Sequence, residues 1–321
     1  MRVLLALLCL WLMLGVASAQ MYGTGWAGLR GLGSPQAGPK PPDLRNLFIA
    51  VWSMDEANNS TRANASVTSC GSTCDLDESS GDNIPNDTTN KKEGDAAADF
   101  NVSDQEWLEC SDGNPDNCGG TTLLDKGTRD WSFGCWARRE TVGALGGAHI
   151  FMAKGVFTNG GYILDGGNVA TDQSRCVVAD SSGNLTDTAA NLSTANEYYH
   201  LACVFDEATT DTLTLYVDAV SNGSASGTNI GDSNTSEDFA LGVQTVNKGS
   251  GFMNGLLDEC WVIARALTNA EVCHICSCTI NGQTGPCTCD ASNTNAYFNK
   301  GLNTSDCSSC TLPTNCMNPM P

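Results

Sequence analysis

Positive charge is scarce in this sequence: 16 Lys and Arg stand against 36 Asp and Glu, a formal net charge of −20 at pH 7. Such a chain has no basic footprint for nucleic acid and is repelled by phosphate backbones and anionic lipid headgroups. Long apolar runs are scarce as well. Val3 to Val16 is one, about four residues short of the roughly 18 that span a bilayer, and none follows it, so no membrane span is expected. Histidine is limited to His149, His200 and His274, and none stands in a hydrolase motif with Ser or Cys. Helix signals are rare too; the Gly, Ser, Thr, Asn and Asp content is that of turns and short strands.

What is present begins with an export signal. Arg2 precedes the apolar run, and the small residues Ala17, Ser18 and Ala19 follow it, which predicts a signal peptide over residues 1 to 19 with the mature chain starting at Gln20. Cys9 follows Leu8 instead of a small residue, so lipid attachment there is not expected. Cysteine supports export independently. Of 17 cysteines one is Cys9, leaving 16, an even number suited to disulfides in an oxidising, extracellular setting.

Residues 20 to 46 are rich in Gly and Pro, with Pro35, Pro39, Pro41 and Pro42 close together, and read as a linker. A first β-prone run starts at Leu47. Residues 57 to 125 are mostly polar and contain Cys70, Cys74, Cys110 and Cys118, an insertion expected to be organised by cysteine pairing. From Trp131 the pattern is clearer: Trp131, Phe133, Cys135 and Ala137 alternate with Ser132, Gly134, Trp136 and Arg138, placing the two sets on opposite faces of a strand. Similar runs occur at residues 149 to 153, 161 to 164, 175 to 179, 199 to 206, 212 to 217, 239 to 243 and 256 to 264. The expected fold is all-β, an antiparallel sandwich or jelly roll of about 200 residues. Thr268 with Glu271 three residues on forms a capping box and predicts a short helix after the last strand. Residues 273 to 321 form a cysteine-rich tail carrying Cys273, Cys276, Cys278, Cys287, Cys289, Cys307, Cys310 and Cys316, too small for an apolar core of its own. The spacing Cys273-x-x-Cys276 and Cys307-x-x-Cys310 also fits a zinc knuckle, but the extra cysteines and the export signal favour disulfides.

Four stretches resemble the laminin G-like branch of the concanavalin A-like lectin and glucanase superfamily. They are Ala50 to Glu56, Trp131 to Trp136, Tyr199 to Asp206 with Leu213 to Asp218, and Gly255 to Thr268. The resemblance covers about residues 48 to 272. It implies two packed antiparallel sheets, often used as binding modules of extracellular proteins. Departures are the insertion at 57 to 125 and Ala219 after Asp218, where the family usually has Gly; a turn of different shape is expected there.

The resemblance also directs attention to catalysis and calcium. Glucanases of this fold carry a Glu-x-Asp-x-Glu strand, which is missing here. Asp258 and Glu259 are adjacent, so simple alternation sends them to opposite faces. Tyr297 to Lys300 resembles an alginate lyase motif only in passing, so no enzyme is expected. Calcium is implied at the sandwich rim, with Asp77, the loop at Gly81 and Asp258 as candidate ligands and Asp55 as a lesser one. A solvated acidic loop explains the same residues. Asp112, Asn114 and Asp116 begin like an EF-hand, but Asn117 replaces the required Gly. In pentraxins of similar fold the strands holding Cys135 and Cys203 are joined by a disulfide, which implies that pair here, with Cys176 and Cys260 as alternative partners. Asn59, Asn64, Asn101, Asn184, Asn191, Asn222 and Asn303 head glycosylation triplets. Trp107, Tyr198 and Tyr199 are candidates to stack on sugars or to pack.

The expected function is a secreted, non-catalytic module binding an extracellular glycan or protein, calcium-assisted. A self-assembling structural subunit of a surface layer or filament and a divergent glycoside-active enzyme are the alternatives.

Overall fold

The computed structural model describes residues 47–55, 61–62, 74–78, 84–92, 95–112, 123–140, 149–156, 160–167, 173–192, 194–209, 211–226, 230–246 and 248–276. The leader, the linker, Cys70, Cys118, Gly81, Asn59, Asn64, Asn303 and the tail cysteines beyond Cys276 lie outside them.

The described strands are β1 Phe48–Trp52, β2 Thr61–Arg62, β3 Leu76–Glu78, β4 Asn86–Asp87, β5 Ala97–Phe100, β6 Leu108–Cys110, β7 Trp131–Arg139 and β8 Ile150–Val156. They continue with β9 Gly160–Asp165, β10 Gln173–Ala179, β11 Leu185–Asn191, β12 Tyr198–Asp206, β13 Thr212–Val217, β14 Val220–Ser226, β15 Phe239–Leu241 and β16 Gly255–Ile263, and a helix α1 follows at Asn269–Cys276. Sheet A runs β14-β13-β12-β7-β16-β5-β4, with β1 also on β16; sheet B runs β11-β10-β9-β8-β15-β6-β3-β2. All the pairings are antiparallel.

The period-two pattern of β7 is realised. Trp131, Phe133, Cys135 and Ala137 join the core between the sheets, with Phe151, Tyr162, Cys176, Leu201 and Phe205. On the other face Trp136, Trp261, Ala202 and Ile263 form a second apolar cluster with Leu267, Val272, Cys273, Ile275 and Cys276. α1 therefore packs on the apolar part of the outer face of sheet A. Burying Leu267, Val272 and Ile275 there contributes roughly 1.5 to 3 kcal/mol each before entropy is counted. The predicted capping box starts the helix: Thr268 N donates to Glu271 Oε2 at 2.8 Å and Glu271 N to Thr268 Oγ1 at 3.3 Å. Cys273 and Cys276 thus belong to the sandwich's packing, which runs past residue 272, and both are disulfide-bonded.

Three expectations need correction. Residues 57 to 125 are no simple insertion: they supply β2, β3 and β6 to sheet B and β4 and β5 to sheet A, with Cys74 and Cys110 buried and disulfide-bonded. The turn at Asp218 and Ala219 keeps the tight two-residue form, because both residues adopt left-handed angles (φ 50° and 61°). For Ala219 that conformation costs on the order of 1 kcal/mol. The disulfide implied for Cys135 and Cys203 is instead Cys176–Cys203, with Cα atoms 5.8 Å apart, while Cys135 and Cys260 are buried thiols. Cys176 on β10 and Cys203 on β12 both face the core, so the bond crosses from sheet B to sheet A.

Candidate binding site on the outer face of sheet A

Register lays the outward residues of sheet A in transverse rows. Ser132, paired with Val204 and Ile263, accepts the Leu267 N–H and donates to the Arg265 carbonyl, fixing the approach to α1. The next row pairs Gly134 with Trp261 and Ala202. Gly134 is required there, since a Cβ would stand 2.3 Å from the Leu201 carbonyl oxygen and 2.7 Å from the Trp261 ring. Apart from Ser132 and Gly134, the residues of these two rows belong to the apolar cluster that α1 joins.

The following rows are different. Trp136 pairs with His200 on one side and Asp258 on the other. Beyond it Arg138 pairs with Tyr198 and Leu256, and Leu256 with Asp99. Over them fold the described residues between β4 and β5, 88–92 and 95–96. Asp87 starts this segment by accepting the backbone N–H groups of Thr89 and Asn90, both at 2.7 Å. Asp258 Oδ2 accepts the Lys92 N–H at 2.8 Å, and the Lys92 ammonium sits 4.2 Å above the Trp136 ring. Tyr198 donates its hydroxyl to the Asn90 carbonyl at 2.7 Å, and Asp55 Oδ1 accepts the N–H groups of Asp95 and Ala96. The result is a strip of partly exposed Asp87, Lys92, Asp99, Arg138 and Tyr198, held on a buried floor.

That floor is aromatic. His200 lies with its ring 5.1 Å from Trp136 and 6.2 Å from Trp261, and among the described residues neither of its nitrogens has a hydrogen-bond partner. Burial, and secondarily the Lys92 charge, lowers its pKa to about 3, so the imidazole is neutral and has no role as a proton carrier near pH 7. Asp99 behaves in the opposite way. Burial, then the charges of Glu140 and Asp87, raise its carboxyl to about 6 against a pull from Arg138. Burial also disfavours the charged Asp87, but hydrogen bonds from Asn90 and Thr89 outweigh it and leave that carboxyl below its usual value.

Asp99 carries a pH prediction. Its folded pKa is raised, so its stabilising effect is complete below about 3.8 and is lost as pH rises through about 6. Asp99→Asn should therefore stabilise the protein at pH 8 by on the order of 1 kcal/mol after discounting for solvent screening, and the gain should vanish by pH 4. Urea unfolding at the two pH values checks this; an equal effect at both would exclude titration of Asp99 as its cause.

The calcium candidates do not form one cluster. Asp55 and Asp258 converge on the β4–β5 segment, each accepting backbone N–H groups. Asp77 is on β3 in sheet B, paired with Glu109 and Thr61. Among the described residues no three His, Cys, Asp or Glu side chains group to hold a metal ion. Asp112 instead makes a buried ion pair with Lys154.

Strand alternation is interrupted just after Asp258: the register shifts between Asp258 and Trp261, and Glu259 has φ 46°. The two carboxylates are nevertheless fully buried, out of reach of a polysaccharide. His149 accepts the Asn254 N–H, and burial lowers its pKa. Of the candidate sugar-stacking residues only Tyr198 lies on the strip. Tyr199 packs against the core, and Trp107 leans on Phe252 with its N–H on Glu109. Arg138 and Asp99 escaped sequence reading because only strand register brings them together. An outward charge within the alternating β7 was the available signal for Arg138.

Residues 114–273 match the family model of the concanavalin A-like lectin/glucanases superfamily, laminin G type. No curated protein matches the chain significantly. Among solved structures, the binding domain of botulinum neurotoxin serotype G superposes with a TM-score of 0.51 at 11% identity, over 70% of this chain and 49% of that one. The receptor-binding domain of botulinum neurotoxin D gives 0.50 at 11% identity, over 71% and 52%. This chain thus spans about half the length of those domains. Domain 4 of AbnA, an extracellular arabinanase from Geobacillus stearothermophilus, solved with arabinotriose, gives 0.49 at 20% identity over 70% and 96%. The two-sheet sandwich and its closing helix agree with the family match: over residues 114–273 the chain is similar to the laminin G-like branch of the concanavalin A-like lectin/glucanase superfamily.

Proposed function

We propose that the protein is a secreted, non-catalytic module that binds a glycan or protein ligand outside the cell, using the strip on sheet A, with calcium assisting. The observation that carries this reading is the pinned β4–β5 segment. Four separate anchors, Asp258, Asp55, Trp136 and Tyr198, hold it against the sheet and leave Asp87, Lys92, Asp99, Arg138 and Tyr198 at the surface. Preorganisation of polar groups beside an aromatic ring reduces the ordering cost of binding. Export rests on the leader and on the disulfides. Among the described residues no helix is long and apolar enough to cross a membrane. Calcium would draw on Asp55 and Asp258 together with backbone oxygens of the same segment.

A glycan array probed with the exported protein, with calcium and with chelator, tests the reading. Arg138→Ala should weaken binding at least about tenfold, the loss of a charge-assisted contact. Identical binding by wild type and by an Arg138→Ala, Tyr198→Ala double variant would remove the strip from the account. A glycoside-active enzyme is the second reading, favoured by one observation: Asp99 is held up and Asp87 down, the separation of carboxyl pKa values that acid–base work requires. A polysaccharide hydrolysis screen in which activity disappears with Asp99→Asn would replace the first reading by the second.

A further inference from the structure

The four cysteines of β7, β10, β12 and β16 leave a second pair. Cys176 and Cys203 are joined, and Cys135 and Cys260 remain as thiols, fully buried on the core side of sheet A. They are neighbours across β7 and β16. Register runs from Asp258 opposite Trp136 to Trp261 opposite Gly134, so two residues of β16, Glu259 and Cys260, face the single Cys135. That is the count of a β-bulge. Directly opposed residues of an antiparallel pair have Cα atoms about 4.5 to 5.5 Å apart, inside the range of about 4.4 to 6.8 Å that a disulfide spans. Both side chains point to the same face, and the Cys135 thiol lies within hydrogen-bonding reach of Cys260.

We infer that Cys135 and Cys260 are a redox pair that closes to a cross-strand disulfide when the chain folds in an oxidising compartment. The oxidant is a disulfide carrier, R′S–SR′. The Cys260 thiolate attacks one carrier sulfur and expels R′S⁻; the Cys135 thiolate then attacks Cys260 sulfur in the mixed disulfide, forming the Cys135–Cys260 bond and expelling the second R′S⁻. The carrier gains two electrons, and the two thiol protons end on the released thiolates. Closure belongs to folding, before burial is complete. Afterwards, burial and the neighbouring Cys135 thiol push the Cys260 thiol up and keep it unreactive. The bond fixes the bulge that precedes Trp261 and follows Asp258, so it locks the floor beneath the pinned segment.

A competing connectivity is close at hand. Cys135 pairs with Leu201, two residues from Cys203 on the same face, so Cys135–Cys203 is the connectivity to distinguish. Peptide mapping separates the cases. The exported full chain is unfolded in guanidinium with N-ethylmaleimide and no reductant, then digested and analysed by mass spectrometry. The expected product is one peptide pair joined through Cys135 and Cys260, with neither alkylated. Alkylation of both, or a Cys135–Cys203 crosslink, overturns the inference. The same chain made in a reducing cytoplasm and refolded with oxidised glutathione should acquire the crosslink; folding to native spectra without acquiring it also overturns the inference. Neither readout depends on ligand binding, so failure of the binding reading leaves this test intact.

Discussion

Replacing Cys176 and Cys203 together by alanine is expected to lower the unfolding free energy by roughly 3 to 4 kcal/mol. The pair closes a loop of sequence separation 27, and the chain-entropy account gives about 3.6 kcal/mol for a loop of that size at 25 °C. The bond also has an unusual position in the sandwich. Neighbours within a sheet are held by backbone ladders, whereas the two sheets meet through side chains alone. Cys176–Cys203 is a covalent link across that interface, joining β10 of sheet B to β12 of sheet A. Its loss should therefore fall on the packing of sheet against sheet, not on the ladders. Urea unfolding of the oxidised wild type against the double variant measures the difference. Near-ultraviolet dichroism reports the core residues Trp131, Phe133 and Tyr162, whose rings lie 4.7 to 5.7 Å apart. A change below about 1 kcal/mol with an unaltered spectrum would mean that apolar packing alone holds the sheets.

The reasons this bond was not legible in the sequence are the reasons the rest was or was not. Alternation identified β7 because both faces carry a pattern: large apolar residues inward, and outward residues that include Ser132 and Arg138. It missed β14, Val-Ser-Asn-Gly-Ser-Ala-Ser, because an edge strand buries little and so carries no apolar period. β11 was missed for a related reason: its inward positions are Thr186, Thr188 and Ala190, residues too small or polar to stand out. β2 to β6 are two to four residues each, below the length at which periodicity can be read. The capping box was legible because its partners are three residues apart. Pairing of Cys203 with Cys176 depends instead on which strands face one another across the core, information that exists only in topology. The strip suffers the same handicap: Lys92, Asp99, Arg138 and Tyr198 meet through three different strands and a loop. Asp258 could be named from sequence as a closing-strand carboxylate, but its partner, the Lys92 N–H, is 166 residues away.

His200 provides the sharpest test of the buried floor. An imidazole normally near 6.5 is held at about 3, so protons bind the unfolded chain in preference to the folded one between those values. The associated stability is present above about 6.5 and is lost as pH falls toward 3. One proton's difference corresponds to about 1.4 kcal/mol per pH unit. Raised carboxyls act in the opposite sense over part of that window: burial raises Asp99, Asp218 and Asp165, and each favours folding as it takes up a proton. The slope of the wild type alone is consequently a poor guide, and the difference from a variant isolates the single group. His200→Leu removes a titrating ring whose two nitrogens make no hydrogen bond among the described residues, so at pH 7 the substitution should cost no more than about 1 kcal/mol. At pH 4 the variant should exceed the wild type by roughly 3 kcal/mol, the sum of about 2.5 pH units of avoided protonation. Urea unfolding of both proteins from pH 7 to pH 4 gives the two slopes. Parallel slopes would show that His200 protonates in the folded state at little cost, and hence that the floor formed with Trp136, Trp261 and Lys92 opens readily to water. Diverging slopes would establish it as dry and rigid, the property a surface strip needs if its polar groups are to meet a ligand already in place.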